Sequence, residues 1–174
     1  MRWLIDGYNV IRRSTVLHER ERESLEAGRR ALLDLLARVA RDRGDQFTVV
    51  FDGAGAGGSS GSAGVRIVFS SARESADRVL TRMAAAQGGA VVTDDREVLR
   101  AAARVGAVPI TATAFLTRLE ALQAGAPGDV RETEKDEDDE SESRRAPRKG
   151  NPRRLGKKAR AAARALGRLG GHPR

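Results

Sequence analysis

Three short apolar runs in this sequence each end on an acid. Trp3-Leu4-Ile5 leads into Asp6-Gly7-Tyr8-Asn9, Thr48-Val49-Val50-Phe51 into Asp52-Gly53, and Ala90-Val91-Val92-Thr93 into Asp94-Asp95. A further acid, Asp77, falls early in a helical stretch that begins near Glu74. Carboxylates gathered without cysteine or histidine neighbours suit a hard divalent cation such as Mg²⁺ or Mn²⁺. Such an ion can activate water and neutralise a phosphoryl group, so phosphodiester hydrolysis would need no protein nucleophile. The inventory agrees. The chain has no cysteine, and its two histidines, His18 and His172, sit in a charged helix start and in the tail.

Each acid taken singly has an ordinary explanation. Asp6-Gly7 and Asp52-Gly53 are turn dipeptides. Asp94 with Glu97 reads as a capping box, Asp95 could cap as well, and Asp77 suits the positive end of a helix. Jointly they are harder to dismiss, because carboxylates crowded on one sheet edge repel unless a cation sits among them. Asn9 could brace its own loop, or bind a water or the scissile phosphate. Tyr8, the only tyrosine, could be packing or could stack on a base.

For these acids to meet, the strands must run parallel, and the pattern supports this. Strands are expected at about 2–5, 47–51, 65–69, 90–93 and 107–110. Helices are expected from about 19–24 to Gly44, at 74–87, 96–105 and 113–123. Leu25, Leu32, Leu33, Leu36 and Val39 form the apolar stripe of the long helix. Strands alternating with helices imply a parallel sheet with helices on both faces, whose carboxyl ends form the ligand edge. Residues 9–13 read as a loop, and the Gly-, Ser- and Ala-rich stretch 53–64 as a flexible one.

Charge divides the chain sharply. Residues 1–130 carry 18 arginines, no lysine and 16 acids; 132–142 hold eight acids against one lysine; 144–174 hold 12 basic residues and no acid. Such blocks are typical of disordered interaction tails, and the basic one favours a polyanion, so nucleic acid is the expected partner. Leu155, Ala159, Ala162, Leu166 and Leu169 share one helical face, which predicts a helix that forms only on a partner. The acidic run could pair with the basic tail or occupy an RNA groove. No run is long and apolar enough to span a bilayer, no signal peptide is evident ahead of the strand at residue 3, and the cysteine-free composition fits a cytoplasmic protein.

In order, Ile-Asp-Gly-Tyr-Asn-Val-Ile at 5–11, Val-Val-Phe-Asp-Gly at 49–53, Val-Arg-Ile-Val-Phe-Ser at 65–70 with Glu-Ser-Ala-Asp at 74–77, and Val-Val-Thr-Asp-Asp-Arg-Glu at 91–97 resemble the YacP-like NYN branch of the PIN-like nucleases. The resemblance spans about residues 2–123. It implies a PIN-like three-layer α/β fold with a mostly parallel central sheet, and an Mg²⁺- or Mn²⁺-dependent ribonuclease without an organic cofactor. Position by position, Asp6, Asp77 and Asp94 match the acids around the metal, with Asp95 a further candidate ligand. Asp52 and Asn9 match the second-strand acid and the asparagine of the first motif. Arg78 departs from the pattern, since many relatives carry a second acid after the one matched by Asp77.

The expected organisation is a nuclease domain at 1–128, an acidic disordered linker at 129–150 and a basic tail at 151–174. Arg12, Arg13, Arg66, Arg96, Lys157 and Lys158 are the candidate RNA contacts. The expected activity is endonucleolytic cleavage of RNA, and the resemblance extends this to work on or near ribosomes. A non-catalytic RNA-binding module, or a nuclease acting on DNA, stands as the alternative.

Overall fold

The computed structural model describes residues 1–53, 61–62, 64–124 and 156–169. The acidic linker and residues 54–60 lie outside these. In chain order the elements are β1 (Arg2–Asp6), α1 (Gly7–Arg13), α2 (Thr15–Glu23), α3 (Leu25–Arg43), β2 (Gln46–Phe51), β3 (Gly61–Ser62), β4 (Val65–Phe69), α4 (Ala76–Gln87), β5 (Ala90–Val92), α5 (Arg96–Arg104), β6 (Val108–Ile110), α6 (Ala112–Gln123) and α7 (Lys157–Arg168).

The strands form one sheet in the order β3-β4-β2-β1-β5-β6, and only the two-residue edge strand β3 runs antiparallel. From β1 the chain builds outward through β2 to β4, then α4 carries it back across to β5 on the other side of β1. The strand order therefore reverses between β1 and β5. A crevice opens at such a switch point, beyond the carboxyl ends of the strands. Asp6 and Asp94 stand on either side of it.

Alternation along the strands divides the core into two layers. Trp3, Ile5, Phe47, Val49, Phe51 and Val92 face α1, α3, α6 and α7, while Leu4, Val50 and Val91 face Val79, Leu80 and Met83 of α4 and Val98 and Ala102 of α5. Both faces are covered, which is why these strands read as continuous apolar runs.

Three expectations change. Residues 9–13 are helical, because Asp6 caps α1 through its side chain. The long helix, α3, starts at Leu25 with the Ser24 hydroxyl as its cap, at the late end of the expected 19–24, and an unexpected helix, α2, precedes it. Leu25, expected in the buried stripe, consequently sits at the exposed first position of α3, 52 % accessible.

The third change concerns the tail. α7 packs against its own domain, with Ala165, Leu166 and Leu169 joining the main core. Arg118 of α6, itself 5 % exposed, donates from Nε to the Leu166 carbonyl (3.0 Å) and from a terminal nitrogen to that of Leu169 (3.1 Å). A guanidinium thus satisfies carbonyls that the end of a helix leaves open. The alanine-rich face needs no external partner because a buried cation and a leucine pair anchor its C-terminal end.

Asp45 is a further buried charge at the opposite edge of the sheet. Its carboxylate accepts from the Met1 ammonium (2.8 Å) and from the Trp3 indole N–H (3.1 Å). This pairing fixes the start of β1 beside the start of β2.

Candidate active site

A cleft of about 720 Å³ opens at the switch point, and Asp6, Asn9, Asp52, Asp77 and Asp94 all line it. Five residues spread from position 6 to position 94 therefore converge. Its remaining wall includes Tyr8, Arg12, Arg13 and Leu25.

Asp6 is the most constrained. One carboxylate oxygen accepts the Asn9 N–H (3.2 Å) and the other the Thr93 hydroxyl (3.0 Å). Only glycine fits after it, since a Cβ at Gly7 would lie 2.3 Å from the Phe51 ring. That close approach lets α1 begin directly at the strand end and swing Asn9 back over the sheet. Asn9 uses its Oδ1 to accept the Asp94 N–H (2.9 Å).

Asp52 projects past β2, where the buried Ser70 hydroxyl donates to it (2.5 Å) while accepting the Gly53 N–H (3.0 Å). Asp77 occupies the second position of α4, exposed at the cleft mouth and inside the turn capped by Ser75. Asp94 is bonded to Arg13 and also accepts the first N–H of α6, at Ala112 (2.9 Å). Asp95 does not line the cleft. Its carboxylate accepts the Glu97 and Val98 N–H groups as the cap of α5, so it contributes charge from the rim.

Burial pushes the Asp6 carboxyl above its ordinary value, against the hydrogen bonds from Asn9 and Thr93, and the charges of Asp77 and Asp95 add to the rise. Asp77 is also raised, first by partial desolvation and then by the charges of Asp95, Asp52 and Glu97. Its side chain stays open to water, so this rise costs the fold little. In both, loss of water is the larger cause and the neighbouring carboxylates add to it.

Among the described residues, no three acids or imidazoles are gathered closely enough to form a ready-made metal cage. Oxygen-only donors in an anionic cleft still fit Mg²⁺ or Mn²⁺. Mg²⁺ in particular keeps several waters and is commonly held by one or two carboxylates together with substrate phosphate. Asp6 and Asp77 are the donors with most to gain, since a cation would offset both the burial and the neighbouring negative charge that raise them.

Of the expected RNA contacts, Arg12 and Arg13 line the cleft. Arg66 lies on β4 and Arg96 opens α5; Lys157 and Lys158 open α7; none of these four belongs to the cleft wall. Sequence reasoning missed the two hydroxyls that aim the acids, Ser70 and Thr93. Each immediately follows a strand, β4 or β5, that the sheet order places beside an acid-bearing one. It also missed Arg29, whose guanidinium bonds the Tyr8 hydroxyl and lies 5.2–5.4 Å from the ring centres of Tyr8, Phe51 and Phe69.

The sequence matches the family model described as the YacP-like NYN domain over residues 3–154. The crystal structure of Rae1 (YacP) from Bacillus subtilis is similar, with 26 % identity and a TM-score of 0.63 over 72 % of this chain and 76 % of that one. A tryptophan-to-leucine mutant of the same protein gives 26 % identity and 0.62, over 71 % and 77 %. No curated protein matches the sequence.

Proposed function

The chain belongs to the YacP-like NYN domain family, and from that premise we propose that it is a divalent-metal-dependent endoribonuclease. Membership and the structural likeness carry the coarser statement, a PIN-like nuclease-type domain whose function concerns RNA. The observation that supports the finer one is the convergence of Asp6, Asn9, Asp52, Asp77 and Asp94 on one cleft, with Arg12 and Arg13 beside them.

In this proposal Asp6 and Asp77 hold Mg²⁺ or Mn²⁺, and Asp52 and Asp94 complete the anionic surround. When bound, the ion supplies Lewis-acid activation of water and charge neutralisation at the phosphoryl group. The chain's own residues do the positioning. Thr93 and the Asn9 N–H fix both oxygens of Asp6, so its orientation costs nothing at the moment of reaction. Ser70 holds one oxygen of Asp52. Asn9 ties the Asp94 loop to α1, while Arg13 can hold Asp94 or turn to a phosphate. Arg12, 65 % exposed, is placed to meet the next phosphate along the strand.

Lys157 and Lys158 belong to a cationic surface that also includes Arg160, Arg164 and Arg168, all exposed on α7. This surface supports contact with a longer RNA, in its broadest form ribosomal RNA, and the cysteine-free sequence suits a cytoplasmic setting. A second reading, a non-catalytic RNA-binding module, is favoured by one observation: Asp94 is already committed to Arg13 and to α6.

Labelled single-stranded RNA and matched DNA, incubated with Mg²⁺, Mn²⁺ or EDTA beside the Asp6→Asn variant, separate the readings. Metal-dependent RNA cleavage lost in the variant is expected. Binding without cleavage in either metal would leave the binding module, and equal cleavage of DNA would remove RNA selectivity.

A further inference from the structure

The lining of the cleft is of two kinds, the carboxylates and a group formed by Tyr8, Leu25, Arg12 and Arg13. A cation, a phosphate or a water would be served by polar groups alone. The half-exposed leucine and the aromatic face instead provide apolar surface beside a site otherwise built for charge.

The Tyr8 ring is held firmly. Phe51 meets it edge-on with centroids 5.2 Å apart, and the guanidinium groups of Arg12 and Arg29 lie 5.5 and 5.3 Å from its centre. Arg29 donates to its hydroxyl oxygen through two nitrogens, one at 2.9 Å. A hydroxyl whose oxygen is taken by a cation can act only as a donor, and among the described residues nothing accepts its hydrogen. Nor does any carboxylate pair with Arg29 among those residues. A charged donor network, anchored in three aromatic rings, therefore ends on a phenol at the cleft wall with one proton left to give.

We infer that the Tyr8–Leu25 wall is the seat of an unpaired nucleotide adjacent to the phosphate held at the carboxylates. This deepens the ribonuclease reading and rests on it. The base lies against the Tyr8 ring and the Leu25 side chain, and Arg12 moves from the ring to the base or its phosphate. The Tyr8 hydroxyl donates to a phosphate or ribose oxygen. Arg29 is a positioning residue that fixes this donor's direction. Because a stacked base in a duplex cannot present its face to such a wall, the site selects single-stranded RNA. Stacking on an aromatic is sequence-tolerant, since every base has a π face, so the wall reads strandedness rather than base identity.

The test is a coupling cycle between one side chain and one base. Binding of the full chain to a fluorescent single-stranded RNA is measured by anisotropy, in Ca²⁺ and in EDTA. The RNA series carries an abasic residue moved one position at a time. The wild type is expected to lose about tenfold in affinity when one particular base is missing, within the 5- to 150-fold that base stacking on an aromatic spans. Tyr8→Leu should bind intact RNA about tenfold more weakly and be indifferent to the abasic residue at that same position. Tyr8→Phe should lose a smaller factor yet keep the abasic sensitivity. Arg29→Met should match Tyr8→Phe, with no further loss in the double variant. Duplex RNA should not respond to Tyr8→Leu.

Full abasic sensitivity retained in Tyr8→Leu at every position would overturn the seat. Should that variant not fold, Leu25→Ala, changed at an exposed position, serves the same cycle with a smaller expected loss. Wild type that binds no RNA at all would remove the ribonuclease reading as well. Wild type that binds RNA with no position-dependent abasic loss would remove only the seat.

Discussion

The Oδ1 of Asn9 accepts the backbone N–H of Asp94 at 2.9 Å, joining α1, which starts directly at the end of β1, to the turn after β5 across 85 residues. The two segments that flank the switch point are therefore fastened to one another, and Asn9 is spent on holding its neighbour in place. Removing it should cost both stability and geometry.

Asn9→Ala should lower stability by about 1 kcal/mol, the net worth of one such hydrogen bond. That corresponds to a Tm lower by about 2–4 °C for a chain of this size. Asn9→Asp keeps an acceptor for the Asp94 N–H and should recover most of that loss, while adding a further carboxylate to the cleft. Calorimetry of the three proteins checks this; an unchanged Tm in Asn9→Ala would show that the tether carries no stability.

Asp6 makes the pH dependence legible. Its folded-state pKa lies above the ordinary 3.8, chiefly through burial, so the folded chain holds this proton more tightly than the unfolded chain. Raising the pH removes the proton and costs the wild type stability, beginning above pH 3.8 and complete once the folded carboxyl has ionised. Asn does not titrate and still caps α1. The Tm of Asp6→Asn minus that of the wild type should therefore rise from acid to neutral pH, in the absence of divalent metal. Parallel Tm profiles for the two proteins would refute the shift.

The crowding of carboxylates at the cleft predicts metal-linked stabilisation. Mn²⁺ or Mg²⁺ at about a hundred times its dissociation constant should stabilise the wild type by about 2.7 kcal/mol, visible as a higher Tm without any substrate. Asp6→Asn and Asp77→Asn should each reduce that gain, and sodium at equal ionic strength should not reproduce it. A wild-type Tm indifferent to both ions would count against Asp6 and Asp77 as the holders of a cation.

Arg118 predicts a different outcome at the far end of the chain. Replacing it with Met removes two buried charge-assisted bonds to the Leu166 and Leu169 carbonyls, a loss of about 2–3 kcal/mol. Amide exchange across Lys157–Arg168 should accelerate strongly while β1 stays protected. Equal protection of α7 in variant and wild type would mean that the leucines alone hold it.

How far the sequence spoke depended on which physical signal each element carried. The buried strands were legible because both faces of the sheet are covered, and the acids because each follows such a run. α1 was hidden: Asp6-Gly7 has the composition of a turn, yet the glycine is there for the Phe51 ring, which leaves no room for a Cβ. The separate helix α2 was invisible to periodicity, because its charged sequence buries Leu17 alone and carries no apolar stripe. The docking of α7 rests on Arg118, and a lone arginine in an amphipathic helix reads as solvated until its partners are seen. The roles of Ser70 and Thr93 required sheet order, which local pattern does not contain.

The topology bears on how the molecule is made. β1 is flanked by β2 on one side and β5 on the other, and Asp94 follows β5, tied to Asn9, Arg13 and the Ala112 N–H. A nascent chain thus displays Asp6, Asp52 and Asp77 well before it owns a cleft to put them in. Asp94, the last of the carboxylates, joins the others only once β5 has been made and paired with β1.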